Sequence, residues 1–470
     1  MRAFIASSIG VACAAAAVLP LTAPDGLANS ASAAPAPAPG SVAAPRLPGS
    51  TQSLPLVPLT PPPTTAPPGS SDSVSLGLPA REVEPFALLG VVWDDPEEEL
   101  HGRIQVRTRS AATGKWSSWQ ELEAHADRPD PDSAESRGDK VRGATAPLWV
   151  GDSNGVQARV LPEEPEAPEA DASGAHRLPE GLRLDLVHPG DDPAAETGKN
   201  PAGEANSALA PPGALEIPAL DRQGTREDLL AVRAPGQTGQ TGQDSRDSQD
   251  SQDGQAGAAD RTGQLRAVAD APIGPRPGIV TRRGWGADER LRGPFLYTRT
   301  VKVAFVHHTA MSNNYSCGQS AAIIRGIYRY HVQSNGWRDV GYNFFVDKCG
   351  KIYEGRAGGV ANPVMGAHTY GFNHDSTGIA VLGSYSSTNP SGAAVNAVSK
   401  LVAWKLGLHG VDPRGTASMK SGGGKYRKGA TVRLRTVSGH RDGYVTNCPG
   451  NRLYAKLGTI RATAARLQGR

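Results

Sequence analysis

Four side chains in the C-terminal part of the chain are of types that do chemistry together. VAFVHHTA, residues 303–310, is a short apolar run that stops on His307 and His308. VSGHRDGYVTNCPG, residues 437–450, places His440 at the end of a second short apolar run. Cys448 follows eight residues later, in a stretch that Pro449 keeps out of helix. Successive side chains of a strand point to opposite faces, so only one of the adjacent histidines can face a given site. One of them, with His440 and Cys448, would make two imidazoles and a thiolate. Zn²⁺ takes that mixture tetrahedrally, with a fourth position open to water. An ion so held supplies a Lewis acid and a nucleophilic water near neutral pH. Spacing alone leaves a second reading open, in which the histidines are structural residues with satisfied hydrogen bonds.

The cysteine count bears on that choice. MRAFIASSIGVACAAAAVLPLTA, with the small-x-small sequence Ala31-Ser32-Ala33, reads as a secretory signal peptide over residues 1–33. Pro20 and Pro24 break the apolar run too early for a membrane anchor, and no later run is long enough to span a bilayer. Once Cys13 is removed with the signal, Cys317, Cys349 and Cys448 remain. Cys317 and Cys349 flank one compact segment and are expected to form a disulfide in an oxidising compartment. Cys448 is then left without a sulfur partner, and a metal would account for it.

The elements that must position these residues come from hydrophobic periodicity. VKVAFVHHT and STGIAVLGSY read as strands, and GYNFFVDKCGKIYEGR as a hairpin turning at Cys349-Gly350. CGQSAAIIRGIYRYHVQSNG, AAVNAVSKLVAWKLGLHG and RLYAKLGTIRATAARLQ read as helices. Residues 276–470 are therefore expected to form one α/β domain, a mixed sheet with packed helices. Upstream, FALLGVVW, HGRIQVRTRS, GVQARVL and GLRLDLVH read as short strands, giving a small all-β, sandwich-like domain over 81–189. Residues 34–80 are rich in Pro, Ala and Ser and read as a disordered stalk. Residues 190–275, with TGQTGQDSRDSQDSQDGQ, read as a low-complexity linker.

Charge divides the chain sharply. Residues 276–470 hold 28 Lys and Arg against 8 Asp and Glu, a net of +20; the remainder holds 21 against 38, a net of −17. A basic exported domain concentrates near polyanions, and an anionic cell-wall polymer suits export where nucleic acid does not. The opposite signs also suggest that the acidic N-terminal half docks on the basic half and restrains it.

From about Ile279 onward the chain resembles the peptidoglycan recognition proteins and the related type 2 N-acetylmuramoyl-L-alanine amidases. The resemblance is carried by TRRGWGA, VHHTA, YHVQSNGWRDVGYNF, IYEGR, GAHTYGFNHDSTGIAVLG and GHRDGYVTNCPG, in family order. It implies a zinc enzyme that cleaves the amide between N-acetylmuramic acid and L-alanine in peptidoglycan. His307, His440 and Cys448 then become the zinc ligands, and His308 turns to the opposite face in a packing or hydrogen-bonding role. Tyr342 matches a tyrosine at the zinc-bound water or the scissile carbonyl. Thr446 stands where phage relatives carry a catalytic lysine and many recognition-type amidases a threonine. His368, Asn373 and Arg356 fall where the family cleft meets muropeptide. With the signal peptide and the absence of a later apolar span, a secreted, cell-wall-associated protein is expected, with no stable membrane insertion after signal cleavage. Two other readings are set against it: a recognition protein that binds peptidoglycan without cutting it, and an adhesin-like β domain with an amidase-like tail. The cysteine ligand, commonly absent from non-cutting members, favours the enzyme.

Overall fold

The computed structural model describes residues 48–59, 76–123, 127–137, 140–162, 178–191, 201–233 and 272–470. The segments read as signal peptide, most of the stalk and the low-complexity core of the linker lie outside the described residues. Among the described residues no helix is long and apolar enough to cross a membrane.

The N-terminal domain is one eight-stranded sheet built from β1 (Ser50–Pro55), β2 (Val57–Pro58), β3 (Leu76–Trp93), β4 (Gly102–Ser110), β5 (Gln120–Leu122), β6 (Gly143–Ala144), β7 (Leu148–Pro162) and β8 (Arg183–His188). Its order is β1-β8-β3-β7-β4-β5, with β2 and β6 also paired to β3, and every pairing is antiparallel. Alternation builds its core: Ile104, Val106 and Thr108 of β4 are buried, whereas the intervening Gln105 and Arg107 are partly exposed. The domain therefore starts well before residue 81. Strand β1 comes from residues read as stalk, and pairs with β8 from Ser50↔His188 to Pro55↔Arg183. Its sequence hides it because an edge strand needs little apolar signal and tolerates proline at its end.

The C-terminal domain is a seven-stranded mixed sheet of order β17-β11-β14-β12-β13-β10-β9. Its strands are β9 (Glu216–Ile217), β10 (Ile279–Val280), β11 (Val303–His308), β12 (Phe344–Val346), β13 (Ile352–Glu354), β14 (Ser376–Val381) and β17 (Val437–Gly439); β15 (Thr416–Lys420) and β16 (Thr431–Arg435) form a separate hairpin. Strand β11 is buried along its whole length and runs parallel to both β14 and β17. Parallel strands covered on both faces need continuous apolar runs, as VAFV supplies. Ala304, Val306, Ile379 and Val381 face the helices Gly392–Leu408 and Leu457–Gln468, packing with Leu401, Trp404 and Ile460. Phe345 and Ala380 face the other way, onto Ile323, Ile324 and Ile327 of the helix Ser320–Arg329. Cys317, just before that helix, is disulfide-bonded to Cys349 in the turn between β12 and β13.

Residues 201–233, expected within a linker, are folded onto this domain. Strand β9 pairs antiparallel with β10, Ile217 is fully buried, and the Asn206 amide donates to both Glu354 carboxylate oxygens at 2.9 and 3.0 Å. The segment carries few large apolar groups, so its order comes from the sheet edge it completes.

The two domains share a core. Ala87, Leu88, Val92, Trp149 and Val187 of the N-terminal sheet pack in one buried cluster with Ile323, Ile327 and Tyr330. The Tyr330 hydroxyl reaches the Val91 and Thr145 carbonyls at 3.3 and 3.2 Å. The contact expected from opposite charge is thus built around apolar burial.

Candidate metal centre

Parallel pairing brings the two histidines side by side. Val306 of β11 is opposite Gly439 of β17, so His307 and His440, the next residues, leave the sheet together. Their ring centroids lie 4.5 Å apart. His440 opens a one-turn helix, His440–Gly443, and the chain folds back so that the Arg441 amide donates to the Cys448 carbonyl at 3.0 Å. That return places the Cys448 sulfur 3.8 Å from His307 Nδ1. One donor atom from each of His307, His440 and Cys448 falls within 4.8 Å of the others, and all three residues are buried. Among the described residues Cys448 is a free cysteine.

The surroundings orient these groups. The Thr369 hydroxyl lies 3.4 Å from His307 Nε2, leaving Nδ1 aimed at the sulfur. The His308 amide donates to the Cys448 sulfur at 3.4 Å, which favours a thiolate. Burial first, then the nearby Asp127 carboxylate, pushes the Cys448 thiol well above its ordinary value, a shift that a bound cation opposes. His308 accepts a hydrogen bond from the Tyr385 amide at Nδ1 (3.2 Å), while its Nε2 lies 3.5 Å from Glu123.

The other residues singled out in the sequence are placed as follows. The Tyr342 ring is 5.3 Å from the His307 ring, and burial, reinforced by Asp127, raises its hydroxyl far above the ordinary range, so it keeps its proton. Thr446 accepts the Cys448 amide at 3.2 Å. His368 is fully buried behind His307, ring centroids 5.2 Å apart, and burial lowers it to about 3, so it is neutral. Gly378 makes room for it: a Cβ there would come within 2.4 Å of the ring. Arg356 and Asn373 are buried on the same side, under residues of the N-terminal domain.

Sequence reasoning missed the group that fills the centre. Asp127, in the segment after β5, has one carboxylate oxygen 3.6 Å from His307 Nδ1 and 3.3 Å from His440 Nδ1. Its other oxygen accepts a hydrogen bond from the Tyr342 hydroxyl. A tetrahedral zinc with these ligand types has edges of about 3.3–3.6 Å. The two Asp127 separations match those edges, the sulfur at 3.8 Å from His307 Nδ1 is slightly beyond them, and the three ligand atoms lie within 4.8 Å of one another, so the donor set suits a divalent ion with a small closing movement. The only sequence signal was the acidic, proline-bearing run ADRPDPDSAES.

Family models match both domains. Residues 297–451 match the family described as N-acetylmuramoyl-L-alanine amidase, and residues 42–178 match one described as "Rv3811 N-terminal galactose-binding domain-like". Peptidoglycan-recognition protein SC2 of Drosophila simulans is 31% identical over 183 residues, which span 38% of this chain and 85% of the relative. Human N-acetylmuramoyl-L-alanine amidase is 30% identical over 190 residues, 39% of this chain and 28% of the relative. Among solved structures, Drosophila PGRP-LB is similar over 38% of this chain and 92% of its own, at 27% identity and a TM-score of 0.31. Through its C-terminal domain, the chain belongs to the family of peptidoglycan recognition proteins and type 2 N-acetylmuramoyl-L-alanine amidases.

Proposed function

We propose that the chain is an exported, zinc-dependent N-acetylmuramoyl-L-alanine amidase that hydrolyses the amide joining N-acetylmuramic acid to L-alanine in peptidoglycan. The observation that carries this reading is the convergence of His307, His440 and Cys448, a free cysteine among the described residues. When bound, Zn²⁺ would supply Lewis-acid polarisation of the amide carbonyl and a nucleophilic water at neutral pH. The chain's own residues do the rest. His307, His440 and Cys448 hold the ion. The Tyr342 hydroxyl, which keeps its proton through the working range, donates a hydrogen bond to the developing oxyanion. Thr446 spends one lone pair on the Cys448 amide and keeps its hydroxyl proton for the same oxygen. Arg356 and Asn373 bind the stem peptide, and His368 backs His307 as a neutral ring.

Prolonged digestion of purified muropeptide by the full-length chain tests this, with mass analysis of the products. Free stem peptide beside intact glycan is expected from the wild type, and neither from Cys448→Ala nor from chelated protein. Muropeptide bound but recovered whole in every sample would favour recognition without cleavage.

A further inference from the structure

We propose that Asp127 is a fourth ligand of the metal in the full-length chain, and that Asp127, Asp130 and Glu135 form a removable plug over the site. This inference rests on the metal reading above. Two neutral imidazoles, one thiolate and one carboxylate carry a charge of −2, which a divalent cation balances. The Asp127 side chain is 3% exposed, and its Oδ1 lies 3.3 Å from His440 Nδ1 and 3.6 Å from His307 Nδ1, the spacing at which a carboxylate oxygen can share one ion with both imidazoles.

Two more carboxylates of the same segment seat it on groups assigned to substrate. Asp130 accepts from the Gly371 amide at 2.7 Å, the Asn373 side-chain amide at 2.8 Å and the Asn373 backbone amide at 3.2 Å. Glu135 accepts both Arg356 terminal nitrogens, at 2.7 and 2.9 Å, and the Arg338 amide at 2.9 Å. Together with the bond from Tyr342 to Asp127, the plug engages the proposed oxyanion donor and both groups assigned to the stem peptide. A muropeptide cannot use those donors until the plug leaves.

The plug is tethered at both ends. It leaves β5, paired to β4, and returns into β6, paired to β3. On its return the Arg142 amide donates to the Asn335 carbonyl at 3.1 Å. Because the sheet is itself packed on the helix Ser320–Arg329, the plug competes as an intramolecular ligand, at an effective concentration far above that of a free muropeptide. The full-length chain is accordingly latent, and displacement of the segment opens both the fourth metal position and the peptide groove.

Full-length chain loaded with Co²⁺ tests this, with azide as the probe of an open metal position. In the wild type the visible spectrum is expected to be insensitive to azide. In Asp127→Ala the spectrum should change, azide should perturb it further at millimolar concentration, and muropeptide hydrolysis should rise by about 10-fold, from a plug open about 1% of the time to one open about 10%, since Asp130 and Glu135 still hold it. Should Asp127→Ala fail to fold, the double variant Asp130→Asn/Glu135→Gln keeps all four ligands and should still raise azide access and hydrolysis by about 10-fold, for a plug that opens about 10% of the time. Equal azide affinity and equal rates in the wild type and the folded variants would overturn the proposal. Failure of any form to bind cobalt would overturn it together with the metal reading. Spectra that respond as expected without release of stem peptide would support the ligand assignment and overturn the amidase reading alone.

Discussion

Glu135 and Arg356 form a bidentate ion pair across 221 sequence positions, with side chains 2% and 4% exposed, and it joins the two domains directly over the proposed groove. Removing Glu135 leaves the Arg356 charge without its partner, and since an opened plug lets water reach Arg356 the loss is limited to about 2.7 kcal/mol, the opening free energy of a segment open about 1% of the time. Glu135→Ala is therefore expected to lower the denaturation midpoint of the full-length chain clearly. Because the pair is dry, raising salt from 50 mM to 1 M should change that midpoint difference little. A difference that vanishes in salt would place the pair in solvent.

The metal assignment separates the adjacent histidines. His307→Ala and Cys448→Ala are each expected to abolish stoichiometric zinc, measured by elemental analysis after dialysis. His308→Ala should keep it, because its bond to the sulfur comes from the backbone amide. Zinc lost equally from the His307 and His308 variants would contradict the alternation argument.

Apolar packing holds the domains together, so Leu88, fully buried against the helix Ser320–Arg329, is a sensitive position. Leu88→Ala should cost about 2–5 kcal/mol. Amide exchange at residues 127–137 should accelerate with it, read by hydrogen–deuterium exchange. Unchanged exchange there would mean that the segment does not depend on the interface.

Glu354 gives a pH signature. Burial raises its carboxyl from 4.5 to about 7 despite the Asn206 and Arg282 donors. Below pH 4.5 the folded and unfolded chains are both protonated at this group and its contribution is intact. As pH rises toward 7 the unfolded chain releases the proton first, so stability falls by about 1.4 kcal/mol per unit across that window. Glu354→Gln should flatten this part of the melting-temperature profile, and an unaltered slope would remove the assignment.

The Cys317–Cys349 bridge closes a segment of sequence separation 32. Chain entropy assigns such a loop about 3–4 kcal/mol. Cys317→Ser/Cys349→Ser should lose that much in chemical denaturation while still binding zinc, since neither sulfur belongs to the centre.

Much of the C-terminal domain was legible because its signals are local. VAFV and STGIAV are apolar runs that only a doubly covered strand can use, and strand alternation separates His307 from His308. Types of residue singled out His440 and Cys448, but their meeting depends on the register Val306↔Gly439, which no local pattern encodes. Asp127, Asp130 and Glu135 were not legible as site residues, since each acts on a partner 180 or more positions away. The charge split pointed to a contact between the halves, yet Leu88, Val92 and Tyr330 make its core apolar. Residues 201–233 were hidden for the opposite reason: Ile217 and Leu229 are the sparse apolar contacts that fasten a mostly polar segment.

The most direct measurement is anomalous scattering at the zinc edge from a crystal of the full-length chain. One peak is expected, within bonding distance of His307, His440 and Cys448. A crystal without that peak, or with Cys448 bonded to another sulfur, would contradict the account.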